Sequence, residues 1–346
     1  MTLTFKSFCS RWVRKGALLL ALTLLLTGCQ ARQPQKQENL RIGVALYTGE
    51  DTFISTITHE MEALALEKET EGAFKINLSV LDGRYNQTTQ MDQIDSMINR
   101  GCDVICVNIV DRTAAAVMID KAEEAGVPLI FFNRQPVTED IQRWEQVYYV
   151  GASAKESGIL QGEIVLEAWQ QESRWDRNGD GEVQYVMLEG EPGHQDALLR
   201  TEYATKPLLD AEIPVEKLAS ETANWNRGQA MAQTDQWIRA FGDRIEVIFA
   251  NNDDMALGAI EAYEAAGLEL PLIVGVDATA PALEAVQKGS LRGTVLNDAH
   301  GIAASMMDMA LALFRGEPVS SRVELTDGHY IWLPYRKLTA ADLPLN

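Results

Sequence analysis

The chain has 346 residues, 46% of them hydrophobic and 23% charged, the balance of a protein with packed cores and length enough for two domains. Disorder as its main state is thereby excluded. Its 50 acids outweigh 30 Lys and Arg for a net charge of −20, which argues against a nucleic-acid partner, because phosphate binding needs clustered cations.

Residues 1–28 carry Lys6, Arg11, Arg14 and Lys15 and no acid, with an apolar run from Ala17 to Leu26. That run is too short to span a bilayer, so the segment reads as an export signal. It ends in Leu26-Thr27-Gly28-Cys29, which resembles the bacterial lipobox. The resemblance implies that Cys29 is lipidated, becomes the first mature residue and holds the protein on the outer face of the membrane. Loss of residues 1–28 leaves 26 Lys and Arg against the same 50 acids, near −24. Residues 29–39 are polar, without apolar periodicity, and read as a flexible tether.

Short apolar runs then alternate with helical stretches. Strands are expected over 41–47, 74–81, 104–110 and 127–132, with helices over 90–99 and 113–125 between them. A second series runs through strand 148–151, helix 157–169, strand 183–188, helix 196–209, strand 245–250, helix 255–266 and strand 272–276. Such alternation gives an α/β fold of parallel sheets covered by helices. The stretch Glu124–Asn133 is echoed by Ala265–Asp277: helix end, turn, buried strand, then a polar residue. Two similar lobes follow from that echo. Cys102 and Cys106 flank an apolar strand about 13 Å apart, too far for a disulfide, and read as buried free thiols.

Open parallel sheets bind ligands at the carboxyl ends of their strands. The polar residues there are Asn133, Asn252, Asp277 and Asn297, with Asp51 just beyond the first strand. Asn and Asp also cap helices and start turns, but five together favour a binding cleft.

The loop beginning Asp176, Asn178, Asp180, Gly181, Glu182 and Gln184 matches the oxygen spacing of an EF-hand calcium loop, with the carbonyl of Glu182 at its seventh position. Position 12 holds Met187 instead of the bidentate Glu, and a strand follows where a helix would stand. The closing carboxylate must come from elsewhere, or the loop is an acidic turn.

His194, Asp196 and Arg200 sit where a strand turns into a helix. No nucleophile elbow, phosphate loop or zinc motif accompanies them, and the chain has four His in all, so an enzyme is poorly supported. Trp225, in a polar stretch, and Phe53, beside Asp51, are either core anchors or ligand platforms. Set among Asn, Asp, Arg and His, they suit a sugar, whose C–H face stacks on aromatic rings while its rim of hydroxyls donates and accepts.

The stretches Tyr148–Gly158, Gly190–His194, Ile245–Val247, Ala250–Asp253 and Gly293–Asp298 carry a resemblance that covers residues 40 to 337. The chain is similar to the galactose/glucose-binding branch of the type I periplasmic binding family. That resemblance implies two doubly wound lobes, 40–151 with 298–333 and 152–297 with 334–346, joined by a three-segment hinge near 150–153, 296–299 and 333–336. It implies a monomer that binds D-galactose or D-glucose and delivers it to an ABC permease, or to a receptor in a signalling variant. By position, Asp51, Asn133, His194, Asp196, Arg200, Asn252, Asp277 and Asn297 hold the hydroxyls, and Phe53 and Trp225 sandwich the ring. The resemblance also implies that calcium is held by Asp176, Asn178, Asp180, the Glu182 carbonyl, Gln184 and Glu246, which would supply the missing carboxylate. Gly49, Thr52 and Glu182 depart from the family pattern.

Overall fold

The computed structural model describes residues 38–71 and 74–344. The expected export signal and Cys29 lie outside the described residues. The segment expected to be a tether ends sooner than expected, since the first strand already begins at Glu38.

In chain order, β1 (Glu38–Leu46), β2 (Phe74–Asp82), β3 (Val104–Val107), β4 (Leu129–Phe132) and β5 (Val147–Ala152) build one sheet. A second sheet takes β6 (Val183–Glu189), β7 (Val215–Thr222), β8 (Val247–Ala250), β9 (Leu272–Asp277) and β10 (Gly293–Leu296). Then β11 (Tyr330–Leu333) returns to the first and β12 (Arg336–Thr339) to the second. The orders are β11-β5-β4-β3-β1-β2 and β12-β10-β9-β8-β6-β7. The first sheet is parallel throughout, and in the second β12 alone runs antiparallel, against β10.

The central strands are buried along their whole length, as parallel sheets covered on both faces require: Val104–Val107, Leu129–Phe132 and Val247–Ala250 are uninterrupted apolar runs. Each sheet has an apolar cluster on either side. The helix Ala154–Gln171, directly after β5, packs its Ile164, Val165 and Ala168 into the second lobe. The helix Ala299–Phe314, directly after β10, packs Ile302, Met306 and Ala310 into the first. The chain therefore crosses between lobes after β5, after β10 and between β11 and β12.

Two elements differ from the sequence expectation. The strand expected over 104–110 stops at Val107, because the Val110 N–H leaves the ladder for the Gln90 Oε1 at 2.9 Å. The helix expected over 196–209 is two, Gln195–Tyr203 and Lys206–Asp210. Pro207 has no N–H to continue the first and crowds the residue before it.

The internal echo is a shared local structure. Gly126 and Gly267 end their helices in the left-handed region at φ 67° and 66°, and the next residues, Val127 and Leu268, bond back to the Ala122 and Tyr263 carbonyls. Then come β4 and β9, closed by Asn133 and Asp277, both at positive φ. Cys102 and Cys106 are free and buried, and burial pushes the Cys106 thiol up to about 12.

Candidate functional site

A narrow pocket of about 30 Å³ lies between the strand ends of the two lobes. Its walls include Asp51, Phe53, Asn133, His194, Asp196, Arg200, Trp225, Asn252 and Asp277. Two further lining residues, Tyr47 and Arg134, were not expected. Asn297 stands behind the wall, its Nδ2 donating to the Asp277 Oδ1 at 3.2 Å.

In the first lobe Asp51 caps the helix Thr52–Glu71, its Oδ1 accepting the Ile54 N–H at 2.9 Å. Its Oδ2 accepts the Tyr47 hydroxyl at 2.5 Å. Burial and the Asp51 charge raise the Tyr47 pKa, so the phenol stays protonated and donates. Over the Tyr47 ring, 3.6 Å from its centre, lies the Arg134 guanidinium. Asn133 turns the chain at φ 58°, anchored by the Tyr149 hydroxyl on its carbonyl at 2.9 Å. Phe53, in the first turn of the capped helix, is 5% exposed.

The second lobe is organised around Arg200, which is 3% exposed. Its Nε donates to the Ser157 Oγ at 3.1 Å, its Nη1 to the Asn251 carbonyl at 2.8 Å and its Nη2 to the Tyr335 hydroxyl at 3.1 Å. Asp196 and Asp277 face the same Nη2 at 3.5 and 3.9 Å. Burial lifts both carboxyls above the ordinary range, and the Arg200 charge draws them back. His194 caps the helix Gln195–Tyr203 through its Nδ1, which accepts the Asp196 N–H at 3.1 Å. Burial, then the charges of Arg134, Arg200 and Arg112, hold its pKa well below the usual value, so it is neutral at pH 7. Asn252 caps the helix Asp253–Ala266 by accepting the Met255 N–H at 3.0 Å.

Trp225 occupies a left-handed position at φ 61°, where β7 turns into the helix Arg227–Phe241. Its ring meets His194 edge-on with centres 5.2 Å apart. Gly190 makes the place for it: a Cβ there would stand 2.2 Å from the indole. Strained backbone at Asn133, Trp225 and Asp277 marks the pocket as over-determined by its surroundings. Two side-chain bonds cross the cleft, Arg134 Nη2 to Glu191 Oε2 and Thr52 Oγ1 to Asp254 Oδ2, each at 2.5 Å.

The acidic loop lies away from this pocket. Asp176 accepts the Gly179, Asp180 and Gly181 N–H groups, curling the loop upon itself. Asn178 and Gln184 both reach the Asp180 Oδ2, at 2.8 and 3.0 Å. Glu246, 1% exposed, spans the loop's ends: Oε1 accepts the Arg177 N–H at 2.7 Å and Oε2 the Gln184 N–H at 3.0 Å. Glu182 is half-buried, its N–H bonded to the Asp180 Oδ1. No three His, Cys, Asp or Glu side chains converge as a metal cluster among the described residues. A hard cation taking amide and carbonyl oxygens alongside carboxylates nonetheless fits this donor set.

The family model described as a periplasmic binding protein domain matches residues 42–318. The chain belongs to the periplasmic binding protein family. A D-galactose/methyl-galactoside binding periplasmic protein MglB from Haemophilus influenzae is 38% identical over 298 residues, covering 85% of this chain and 88% of that one. A putative rhizopine-binding protein from Rhizobium meliloti is 32% identical over 305 residues, 87% of this chain and 91% of that one. Among solved structures, a solute-binding protein of an ABC transporter from Bacillus halodurans with bound myo-inositol superposes with a TM-score of 0.71 at 29% identity, covering 88% and 96%. As a periplasmic binding protein the chain is extracytoplasmic and binds a solute rather than transforming it. No helix among the described residues is long and apolar enough to cross a membrane.

Proposed function

We propose that the chain binds one neutral monosaccharide, D-galactose or D-glucose, between its lobes and delivers it to an ABC permease. The observation that carries this reading is the composition of one small pocket. Three carboxylates, two amides, a neutral His and two guanidiniums meet there, between Phe53 of one lobe and Trp225 of the other. Hydroxyls both donate and accept, so a ring of them can satisfy carboxylates and guanidiniums together, while its C–H faces lie on the two aromatics. A hydrogen bond to a charged group contributes about 1.5–3 kcal/mol, which makes the loss of any one hydroxyl costly. The galactose-binding relative supports the hexose.

A ring polyol such as myo-inositol, bound by the Bacillus halodurans protein, meets the same donors and acceptors and is the second reading. Calorimetric titration with D-galactose, D-glucose, myo-inositol and D-ribose decides between them. Saturation by a hexose alone supports the first reading, saturation by myo-inositol alone supports the second, and saturation by none overturns both.

Two features complete the proposal. Calcium is held by Asp176, Asn178, Asp180, the Glu182 carbonyl, Gln184 and Glu246, and it braces the second lobe without touching sugar. Cys29 carries a lipid that keeps the monomer at the membrane beside its permease. Mass spectrometry of the mature amino terminus tests the lipid, and Cys29→Ser should release the protein into the medium.

A further inference from the structure

Asp277 lines the pocket on a backbone that few side chains adopt. It stands at φ 114° and Ala278 follows at φ 54°, two positive values in succession at residues other than glycine. Such a turn persists only where its surroundings over-determine it. Side-chain neighbours hold the Asp277 carboxylate loosely: the Asn297 Nδ2 donates at 3.2 Å, and the Arg200 Nη2 stands 3.9 Å away. Its aim is therefore set by the turn.

What holds the turn is a second carboxyl, Asp253, wholly buried behind the wall. Its Oδ2 accepts the Thr279 N–H at 2.8 Å and the Thr279 hydroxyl at 3.3 Å. Its Oδ1 accepts the Thr294 hydroxyl at 2.6 Å, and the Thr294 Oγ1 in turn accepts the Ala278 N–H at 3.2 Å. Both N–H groups that follow Asp277 are thus secured by one carboxyl, directly or through one hydroxyl. Gly275 makes room for it, since a Cβ there would stand 2.3 Å from the Asp253 Oδ1. A carboxyl buried among neutral donors is costly, and the turn is what it secures in return.

We infer that Asp253 and Thr294 are positioning residues for ligand selectivity: without touching the ligand, they fix the Asp277 turn so that this carboxylate reads one hydroxyl of the bound sugar. The inference rests on the sugar-binding reading above. A carboxylate free to swing meets several hydroxyl positions about equally, whereas one held from behind meets a single position well. Discrimination at that hydroxyl then comes in part from two residues outside the pocket.

The test is calorimetric titration of the protein and its variants with the hexose it binds and the 2-, 3-, 4- and 6-deoxy derivatives of that hexose. Thr294→Val keeps the shape of the side chain and loses the hydroxyl, and should weaken the parent hexose about tenfold. For one deoxy sugar the weakening should shrink to within about twofold, because the hydroxyl that Asp277 reads is already gone. Thr294→Ser, which restores the hydroxyl, should return the whole series to within about twofold of wild type. Asp253→Asn, which turns one accepting oxygen into a donor, should show the same selective loss, and it carries the test if Thr294→Val fails to fold. An equal loss across all the sugars overturns the inference, as does an unchanged parent affinity or a Thr294→Ser protein as weak as Thr294→Val. Hexoses that fail to bind the wild type overturn the sugar-binding reading instead, a distinguishable result.

Discussion

Arg134 of the first lobe and Glu191 of the second meet at 2.5 Å, with side-chain exposures of 7% and 33%. The same guanidinium lies on the ring of Tyr47, whose hydroxyl is held by Asp51. A bond between the lobes is thus two contacts away from a carboxylate of the pocket. Domain closure that buries a ligand depends on differential contacts in the closed state, and a bond between the lobes is the kind of contact that closure adds.

Glu191→Gln should weaken closure by about 1 kcal/mol, the scale of a partly exposed ion pair. Since affinity changes within one binding site fall mostly on dissociation, stopped-flow fluorescence should show sugar leaving about fivefold faster with little change in association. An unchanged dissociation rate would mean that the pair forms without holding the lobes.

Gly190→Ala puts a methyl group where the Trp225 indole lies, 2.2 Å from the ring. Either the indole swings out or the β6 end shifts. Sugar affinity should drop tenfold or more with the urea unfolding slope unchanged, because the damage is to one wall rather than to the core.

Asp253, wholly buried, has its pKa raised to about 7 by burial, although the Thr294 hydroxyl and the Thr279 N–H and hydroxyl donate to it. A carboxyl that binds its proton more tightly when folded favours the folded state at low pH. Its contribution is therefore complete below about 4 and is lost as pH rises through about 7. The loss should be a few kcal/mol in size. Asp253→Asn, with an amide that cannot ionise, should flatten that part of the stability–pH curve. A variant curve parallel to the wild type from pH 4 to 8 would place the titration elsewhere.

Calcium should raise the melting temperature of the sugar-free protein, and chelator should lower it, because an ion bound only by the folded chain stabilises it by mass action. Glu246→Gln should abolish the difference and leave hexose selectivity as it was. Equal melting with and without chelator in the parent protein would refute the site.

Much of the pocket is legible in the sequence because helix capping and ligand binding use the same residues. Asp51 and Asn252 each cap a helix and line the cleft, so the two readings of those positions are not alternatives. The echo of Glu124–Asn133 in Ala265–Asp277 was legible for a similar reason, since a helix-ending Gly and a polar strand end are local signals. Tyr47 was hidden as the last apolar residue of the strand expected over 41–47, and Arg134 stood in the shadow of Asn133. Adjacency to a strand-end amide was the signal that could have found it. The split of the second-lobe helix is legible in Pro207, which has no N–H to continue the first segment.

The third crossing has a consequence for how the molecule comes to be. Strand β11 at Tyr330–Leu333 pairs with β5 at Val147–Ala152, and the helix Ala299–Phe314 fills the same apolar cluster as the helix Thr52–Glu71. The first lobe cannot finish its sheet and core until β11 has been made. Such distant pairings fold slowly, because the loop between them must close before any contact rewards it. The first lobe therefore stays incomplete until its last strand is made, a useful delay for a member of a family that works on the far side of a membrane.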